Sequence, residues 1–232
     1  MFMVEKLTIV IPTFNEASRI ENTLAISQMA ANAEIIVVDG GSHDHTVQIA
    51  QAAGVKVLRS RPGRAHQMNR GASAAIGDIL LFLHADTQLP QGFDSMIRAA
   101  LSQPMTIAGA FSLKIDASLW SLRLVEWGVN LRSRLLQMPY GDQAIFLRAD
   151  TFRAIGGFPD LPIMEDFELI RQLKQRGQIA ILPASVVTSS RRWQKLGVLQ
   201  TTLINQSIIL AYLCGISPSQ IAHWYRTKPK HQ

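Results

Sequence analysis

The sequence is poor in cysteine. Cys214 is the only cysteine among 232 residues, which excludes an intramolecular disulfide framework, a four-cysteine zinc site and a CxxC redox pair. Without a disulfide partner, a reducing compartment is expected, and we predict a cytoplasmic protein. Cys214 lies near Leu213 and Ile216, and this apolar setting predicts a buried core thiol.

Long runs of basic residues are also missing. The 23 basic and 17 acidic residues give a net charge of +6, which favours an anionic partner. The basic residues come in short groups, such as Arg59, Arg61 and Arg64, which suit phosphate binding in a pocket better than wrapping a duplex. We therefore do not predict a nucleic acid as the partner. The first apolar run, residues 7–11, is too short for a signal peptide.

The composition is otherwise that of a folded protein. Apolar residues make up 47% and charged residues 17% of the chain, so a core can form and disorder is not expected. Ten prolines and fifteen glycines are ordinary usage, which excludes collagen-like and low-complexity chains. We find no internal repeat and no linker.

The first half of the chain alternates strands with helices of about ten residues. Such alternation predicts an α/β fold with a mostly parallel sheet that is covered by helices on both faces. Pro12 is expected to end the first strand, and Ser42 is expected to cap the second helix. The predicted strands are residues 7–11, 34–38, 55–58 and 78–83, and the predicted helices are residues 17–29, 44–53, 65–75 and 92–101.

The second half is organised differently. Strands are predicted at residues 106–115, 144–147 and 179–182, and helices at 119–136 and from 165 to about 175. We predict one domain over residues 1–195, divided at about residue 104 into a nucleotide half and an acceptor half. An apolar helical extension is expected to follow, over residues 196–232.

This extension carries no charge from Leu196 to Ala222. Its length could suggest a membrane span, but six polar side chains in its first half argue against one. A helix packed on its own domain or on a second copy, and a helix at a membrane surface, are the two alternatives that stay open. The polar residues are Gln200, Thr201, Thr202, Asn205, Gln206 and Ser207.

Polar residues follow the ends of the predicted strands. In parallel sheets, ligands bind beyond the carboxyl ends of the strands. Asp39, beside Gly40, suits hydrogen bonds to a ribose or a base, although it could instead cap a helix. No GxGxxG follows the first strand, which disfavours a dinucleotide-binding dehydrogenase.

Two further groups lie at the same predicted edge. Arg64, with Asn69 in the following helix, suits phosphate binding, because an arginine fork matches phosphate geometry. His84, Ala85 and Asp86 follow the fourth strand, where the carboxylate could hold a cation that binds two phosphates. A solvated arginine and a helix-capping carboxylate are the structural alternatives.

The remaining candidates lie in the second half. Glu165 and Asp166 open a helix, where they could complement the helix dipole or supply a general base. Arg191, Arg192 and Trp193 could neutralise a diphosphate and stack on a sugar or base, or could form a basic helix entry near a membrane. Gly141, Asp142 and Gln143 form a candidate segment whose alternative is a turn. His43 and His45 do not share a helix face, so no metal site is predicted there.

Taken together, these segments resemble the family 2 glycosyltransferases, which have the GT-A fold. The resemblance covers most of the chain, and it is specific because of the order and spacing of its parts. It is nearest to a small bacterial branch with an apolar C-terminal tail. The segments are IVIPTFNE at 9–16, IIVVDGGSHDHT at 35–46, GRAHQMNRGASAAIGD at 63–78, FLHAD at 82–86, GDQAIF at 141–146, GGFPDLPIMEDFEL at 156–169 and RRW at 191–193.

The resemblance implies an inverting transfer from a nucleoside-diphosphate sugar with a divalent cation, Mg²⁺ or Mn²⁺. Asp86 matches the metal-binding acid of the DxD motif, and Asp166, beside Glu165, matches the catalytic base. Gly141, Asp142 and Gln143 would line the acceptor side. Thr13, Glu16 and Asp39 match the family's nucleoside contacts. The full set of residues expected to hold the donor is Pro12, Thr13, Glu16, Asp39, Gly40, Arg64, Asn69, His84, Ala85, Asp86, Arg191, Arg192 and Trp193.

The sequence departs from the family pattern at His84, which stands where the DxD motif has its first acid. This substitution supports one alternative, a non-catalytic protein that binds a nucleotide sugar or an anion. A nucleotidyltransferase is a second alternative, but the loop after the first strand lacks the glycines expected of one. The apolar extension predicts a lipid-linked acceptor, contact with the inner face of the cell membrane, or a homodimer.

Overall fold

The computed structural model describes residues 4–226. Four parallel strands form the first part of its sheet, in the order β3-β2-β1-β4. β1, β2 and β4 are buried on both faces, which is why they consist of near-continuous apolar runs, whereas the edge strand β3 is partly exposed. The strands are β1 (Leu7–Thr13), β2 (Ala33–Asp39), β3 (Lys56–Arg59) and β4 (Ile79–Phe82).

Four more strands extend this sheet to the order β3-β2-β1-β4-β7-β6-β8-β5. The strand β7 is antiparallel to both β4 and β6, while β6 and β8 are parallel and β5 is antiparallel to β8. The prediction of a mostly parallel α/β sheet is therefore confirmed. These strands are β5 (Thr87–Gln88), β6 (Thr106–Asp116), β7 (Phe146–Arg148) and β8 (Gln178–Ser189).

Helices cover both faces of the sheet, as predicted. Alternate residues of β1 point to opposite faces, so Ile9 joins a core with α1, α4 and α5, and Val10 joins a core with α3, α6 and α7. The helices are α1 (Ile20–Ser27), α2 (Thr46–Ala52), α3 (Arg64–Ser73), α4 (Phe93–Leu101), α5 (Trp120–Leu136), α6 (Ala149–Ala154), α7 (Glu165–Lys174), α8 (Arg191–Leu196), α9 (Val198–Leu213) and α10 (Pro218–Arg226), with a 3-10 helix at Gly141–Gln143.

Pro12 does not end the first strand, contrary to the prediction. The strand β1 continues to Thr13, which pairs with Asp39 of β2. The Val10 carbonyl accepts from Leu83 on the β4 side, and the alternation of the strand turns Pro12 to that same side. The last residue of β1 that pairs with β4 is Val10, so Pro12 lies beyond this pairing and its missing N–H does not interrupt it.

The start of α2 was also predicted wrongly. Ser42 does not cap this helix, because its hydroxyl accepts the N–H of Asn15 at 2.9 Å. The carboxylate of Asp44 accepts the N–H of Thr46 at 3.0 Å and takes the capping role. The turn after β2 is thereby tied to the turn after β1.

The last strand is longer than predicted. Its predicted range, residues 179–182, stops at Pro183, but β8 continues to Ser189 through an irregularity opposite Phe111 and Ser112. A proline in a strand pattern normally ends or bends it, and here the strand bends. This continuation carries Thr188 to the cavity described below. The short elements β5 and α6 were not predicted.

The extension folds as helices α8 to α10, and its residues 227–232 lie outside the described part of the chain. None of the helices in residues 4–226 is both long and apolar enough to cross a membrane. Helices α9 and α10 pack on the cavity. They therefore do not form the apolar tail that the resembled branch led us to expect. Cys214 is exposed, so its prediction as a core thiol was wrong.

Candidate functional site

The turn after β2 is built around Asp39. Its buried carboxylate accepts the backbone N–H groups of Gly41, at 2.9 Å, and Ser42, at 3.1 Å. The N–H of Gly40 in turn donates to the carbonyl of Thr13 at 2.9 Å. Asp39 thus orders the turn at the edge where the sequence predicts a nucleoside site, and it does not cap α2, because Gly41 and Ser42 precede that helix.

Gln67 is a buried residue of this edge that the sequence reasoning missed. Its side-chain amide donates to the carbonyls of Thr13 and Val38, both at 2.8 Å. A Cβ atom on Gly40 would meet this amide at 3.1 Å, so the glycine permits the close approach. A glutamine on the core-facing side of α3 was the only signal in the sequence.

Arg191 joins two of the predicted site residues. Its guanidinium donates to both carboxylate oxygens of Glu16, at 2.7 and 2.8 Å, and to Oδ2 of Asp86 at 3.0 Å. Burial raises the pKa of Glu16, although the hydrogen bond and charge of Arg191 oppose this shift. The residues after β1, after β4 and at the start of α8 therefore converge, as the strand-end argument predicted.

A cavity of about 300 Å³ lies beside these residues. Its lining combines charged and titratable side chains with apolar side chains of β6, α5, α7 and α9. The charged and titratable residues include Arg64, His84, Asp86, Arg132, Asp142, Glu165, Asp166 and Arg192, and the apolar residues include Leu113, Val125, Val129, Ile163, Phe167, Ile208 and Ile209.

Backbone groups hold Asp166 in this cavity. Its Oδ2 atom accepts the N–H of Gly141 at 2.6 Å, and its Oδ1 atom accepts the N–H of Phe167 at 2.8 Å. A Cβ atom placed on Gly141 would lie 3.1 Å from Asp166 Oδ2 and 3.3 Å from His84 Nε2. Asp166, His84 and the 3-10 helix therefore meet at one point.

Glu165, the other predicted catalytic acid, turns toward Arg64. The Oε1 atom of Glu165 lies 3.3 Å from Nε of Arg64. Burial raises the pKa of Glu165, against the opposing charge of Arg64. Burial lowers the pKa of Arg64, but nearby carboxylates, above all Glu165 and Asp166, outweigh it and leave the pKa raised. Arg64 therefore keeps its charge in the cavity.

Two groups in the cavity have strongly shifted pKa values. Burial, together with the charge of Arg64, lowers the pKa of His84 to about 4. Burial raises the pKa of Asp142 to about 6, with Arg132 opposing. The Oδ1 atom of Asp142 is buried and has no hydrogen-bond partner in the described part of the chain. His84 is therefore a neutral imidazole at pH 7.

Gln143 does not line the cavity, contrary to the prediction. It is fully buried, and its Oε1 atom accepts the hydroxyl of Ser133 at 2.8 Å and the N–H of Tyr140 at 3.2 Å. Its amide nitrogen donates to the carbonyl of Phe111 at 2.9 Å. The hydrogen-bonding groups of this amide are used by other residues of the chain, and they tie the 3-10 helix to α5 and β6.

Asn69 and Ala85 also serve the scaffold. The Asn69 side chain donates to the carbonyl of Phe158 at 2.8 Å and accepts its N–H at 2.9 Å, so the prediction that it binds the donor is corrected. Ala85 is buried, and its carbonyl accepts the hydroxyl of Thr23 at 2.8 Å. Both residues hold segments that carry site residues.

Arg192 and Trp193 line the cavity from α8. The Arg192 guanidinium lies 4.2 Å from the ring centroid of Tyr225 in α10. Burial and the charge of Arg64 lower the pKa of Arg192. The indole N–H of Trp193 is buried without a hydrogen-bond partner among residues 4–226. The cavity therefore offers a guanidinium and a free N–H donor.

Arg132 and Tyr140 were missed by the sequence reasoning. Both line the cavity, and the Arg132 guanidinium stacks over the Tyr140 ring at 3.6 Å from its centroid. Arg132 looked like one of several arginines on a surface helix, since only the packing of α5 on the cavity distinguishes it. No signal in the sequence separates it from Arg134.

A mixed α/β sheet whose strand ends bring carboxylates and arginines to one cavity defines a protein that binds phosphorylated ligands. The chain belongs to glycosyl transferase family 2, whose model matches residues 8–156. One relative is the PGL/p-HBAD biosynthesis glycosyltransferase of Mycobacterium bovis, with 31% identity over 166 residues, which are 65% of this chain and 62% of the relative. The matched segments span between 25% and 62% of the length of the curated relatives.

Solved structures share the fold. A mannosyltransferase from Pyrobaculum calidifontis, in complex with GDP-Man and Mn²⁺, superposes with a TM-score of 0.66 over 94% of this chain and 68% of its own, at 20% identity. The glucosyl-3-phosphoglycerate synthase of Mycobacterium tuberculosis, with Mn²⁺, UDP and product, gives 0.62 over 91% and 81%, at 21% identity. The GT-A fold implied by the resemblance is therefore confirmed.

Proposed function

We propose that the chain is an inverting glycosyltransferase, which transfers a sugar from a nucleoside-diphosphate sugar to an acceptor hydroxyl. One observation carries this proposal. The carboxylate of Asp166, held by backbone N–H groups, faces the same cavity as Asp86, Arg64 and Arg192. A fixed base and a cluster of phosphate-binding cations at one point are what this reaction requires.

The donor nucleotide is assigned to the edge formed by Thr13, Glu16, Asp39 and Gly40, which lies beside the cavity. The solved structures of similar fold support a nucleotide-sugar donor, because they were determined with UDP, UDP-GlcNAc or GDP-Man. The diphosphate would then lie beside Asp86 and Arg191 and extend to Arg64. Arg64 and Arg192 can stabilise the negative charge that grows on the leaving diphosphate.

The protein groups fit a cation only in part. Among the described residues, no three His, Cys, Asp or Glu side chains form a metal site. Asp86 supplies one carboxylate, which suits Mg²⁺ or Mn²⁺ if substrate phosphates and water provide the other ligands. When bound, the cation would neutralise charge on the diphosphate. Asp86 now contacts Arg191 at 3.0 Å, so its Oδ1 atom is the oxygen left for this role.

Asp166 is the proton acceptor in the proposed transfer. A bond forms between the acceptor oxygen and the anomeric carbon, on the face opposite the leaving group, and the bond from that carbon to the diphosphate oxygen breaks. The carboxylate of Asp166 takes the hydroxyl proton, which contributes about 10² to 10⁴ in rate. Because the imidazole of His84 is neutral at pH 7, it can hydrogen-bond near Asp166 without placing a second positive charge beside Arg64.

The acceptor is assigned to the apolar part of the cavity. Leu113, Val125, Val129 and Phe167 line the same cavity as Asp166, so an acceptor with an apolar group beside its hydroxyl would bury that group there. Relatives of the chain support this assignment, since they include a 4,4'-diaponeurosporenoate glycosyltransferase and an undecaprenyl-phosphate 4-deoxy-4-formamido-L-arabinose transferase. We propose that the transfer takes place at the cytoplasmic face of the membrane.

The first experiment measures thermal stability and nucleoside-diphosphate release with a panel of UDP, GDP, CDP and dTDP sugars, with and without Mn²⁺. A ligand at 100 times its Kd stabilises a fold by about 2.7 kcal/mol. We expect the sugars of one nucleotide to stabilise the protein in a cation-dependent way. Slow hydrolysis of that donor should release the nucleoside diphosphate. Donor binding without release of nucleoside diphosphate, whichever acceptor is added, would instead support a non-catalytic binding protein. No shift with any donor would contradict the proposal.

A further inference from the structure

Helix α5 carries a row of large apolar side chains on its outer face. Their exposed fractions range from 39% to 74%. At about 100° per residue, all five fall within an arc of about 80°, along about 22 Å of helix. The helix therefore presents to solvent a face of the kind that helices normally bury. The residues of this face are Trp120, Leu124, Trp127, Leu131 and Leu135.

Helix α9 is turned in the same unusual way. Leu199, Leu203, Leu210 and Leu213 are 57% to 73% exposed, again within an arc of about 80°. Its polar residues are divided: Thr201 is fully buried and Thr202 and Asn205 line the cavity, whereas Gln200, Gln206 and Ser207 are exposed. The helix therefore exposes four leucines to water while polar side chains occupy part of its packed side.

These two helices pack against each other. Soluble monomers rarely expose contiguous apolar patches of this kind, and where they do, the patch marks an interaction site. Neither helix can cross a bilayer. A bilayer that covers these faces would therefore be entered from the side, not crossed.

The charges around the two faces indicate what that partner is. Helix α9 contains no charged residue. On α5, Arg123 and the exposed Arg134 flank the apolar row, and the one carboxylate, Glu126, is largely buried and accepts from Arg123 and from the N–H of Ile115. Two tryptophans beside the exposed Arg134, with no exposed acid within either helix, suit the interface of an anionic bilayer.

We propose that the outer faces of α5 and α9 dock onto the surface of an anionic lipid bilayer. The inner face of α5 contributes Val125 and Val129 to the cavity, so docking would bring the cavity next to the lipid surface. This inference rests on the proposed transfer at the membrane, but its test does not require donor binding, because the donor edge lies on β1, β2 and β4.

The test is flotation of the full chain with vesicles of phosphatidylcholine containing phosphatidylglycerol. We expect the wild type to float with these vesicles, to float less with pure phosphatidylcholine, and to be released partly by high salt, which screens the arginines. The double variant Trp120→Ser/Trp127→Ser is expected to partition at least about tenfold more weakly. The pair Leu199→Gln/Leu203→Gln tests α9 in the same way.

Met29→Ser/Ile76→Ser is the matched control, because both side chains are exposed on other elements. It is expected to float like the wild type. Circular dichroism and the nucleotide-induced thermal shift show for each variant that the fold and donor edge are intact. Absence of flotation in the wild type, or equal flotation of all variants, would overturn the proposal.

A second copy of the chain is the competing occupant. Sedimentation velocity distinguishes it, since a dimer that does not float, and that the tryptophan variant dissociates, would replace the bilayer with a homodimer interface. A monomer that floats supports the proposal. A failure of donor binding in the same preparations would count against the proposed function and leave the flotation result unaffected.

Discussion

The backbone N–H of Gly141 donates a hydrogen bond of 2.6 Å to Oδ2 of Asp166. The second carboxylate oxygen accepts the N–H of Phe167 at 2.8 Å. Two main-chain groups from different elements therefore set the orientation of this carboxylate. Gly141 lies between it and His84, and the space for a side chain at this position is already filled.

The first prediction concerns Gly141→Ala. The new methyl group would lie 3.1 Å from Asp166 Oδ2 and 3.3 Å from His84 Nε2, so both side chains must move. Misplacement by about 1 Å can cost about 10² in rate, so a displacement of a few tenths of an ångström should cost roughly tenfold. We expect turnover to fall by about that factor while donor affinity stays within a few fold, as measured by steady-state kinetics and donor titration.

Gly128→Ala is the control for this variant. A Cβ atom at Gly128, within α5, meets nothing within 4 Å. Alanine favours a helix over glycine by roughly 0.5–1 kcal/mol, so this variant is expected to be slightly more stable and fully active. Wild-type turnover of Gly141→Ala would show that the position of Asp166 does not limit the reaction.

The second prediction concerns Asp166→Asn. The amide cannot take the acceptor proton, so turnover is expected to fall by about 10² to 10⁴ with little change in donor affinity. Asp116→Asn, at an exposed position far along β6, is the control. If Asp166→Asn weakened donor binding while each bound donor reacted at the normal rate, the assignment of the base would be wrong.

The third prediction concerns Asp86→Ala. Removal of this carboxylate takes away the one cation ligand assigned to the chain, so the extra stabilisation by nucleotide with Mn²⁺ should disappear. Stabilisation without the cation should change much less, and thermal shifts in the two conditions measure the difference. An undiminished cation effect would exclude Asp86 as the ligand.

The fourth prediction concerns the pH dependence of stability. The pKa of Asp142 is raised to about 6, so its contribution to stability is present below about pH 4 and is lost as the pH rises through 6. The pKa of His84 is lowered to about 4, so it destabilises the fold as the pH falls from about 6.5 to 4. The two effects oppose each other.

Variants at the two positions should therefore change the pH profile with opposite signs. Between pH 4 and 6, Asp142→Asn should make stability rise more with pH than in the wild type, and His84→Asn should make it fall more. Urea unfolding at several pH values measures both slopes. Equal changes in slope would contradict the burial of one of the two groups.

The fifth prediction concerns Gln143→Leu. Its three hydrogen bonds, to Ser133, Tyr140 and Phe111, would be lost, and each buried group left unpaired costs about 1–3 kcal/mol. We expect a destabilisation of about 3 kcal/mol or more in urea unfolding. Gln51→Leu, at an exposed site on α2, should change stability by no more than about 0.5 kcal/mol. A stable variant with only a raised KM for acceptor would restore Gln143 to the acceptor side.

Much of the fold was predictable because it depends on local patterns. Apolar runs such as Leu7 to Ile11 must be buried whatever they pack against, and their alternation with helices implies a parallel sheet. The elements that were missed have weak local signals. The strand β5 has two residues, and Pro183 interrupts β8 where long-range pairing with β6 keeps the strand going.

The site was predictable only to the level of its segments. Strand ends carry Asp39 and Asp86 to one edge by topology alone. The task of each polar side chain there depends on partners far along the chain. Gln143 and Asn69 have the same chemistry as ligand-binding amides, but their groups are used by Phe111 and Phe158.

By itself, the sequence determined the α/β architecture, the family and the residues that could hold a diphosphate sugar, because these follow from periodicity and from short motifs. The tertiary structure alone decided that Asp166, Gly141 and His84 meet, and that α9 turns four leucines outward while Thr202 and Asn205 face the cavity. The reason is physical: the pattern along a helix defines its two faces, but only packing determines which of them meets water.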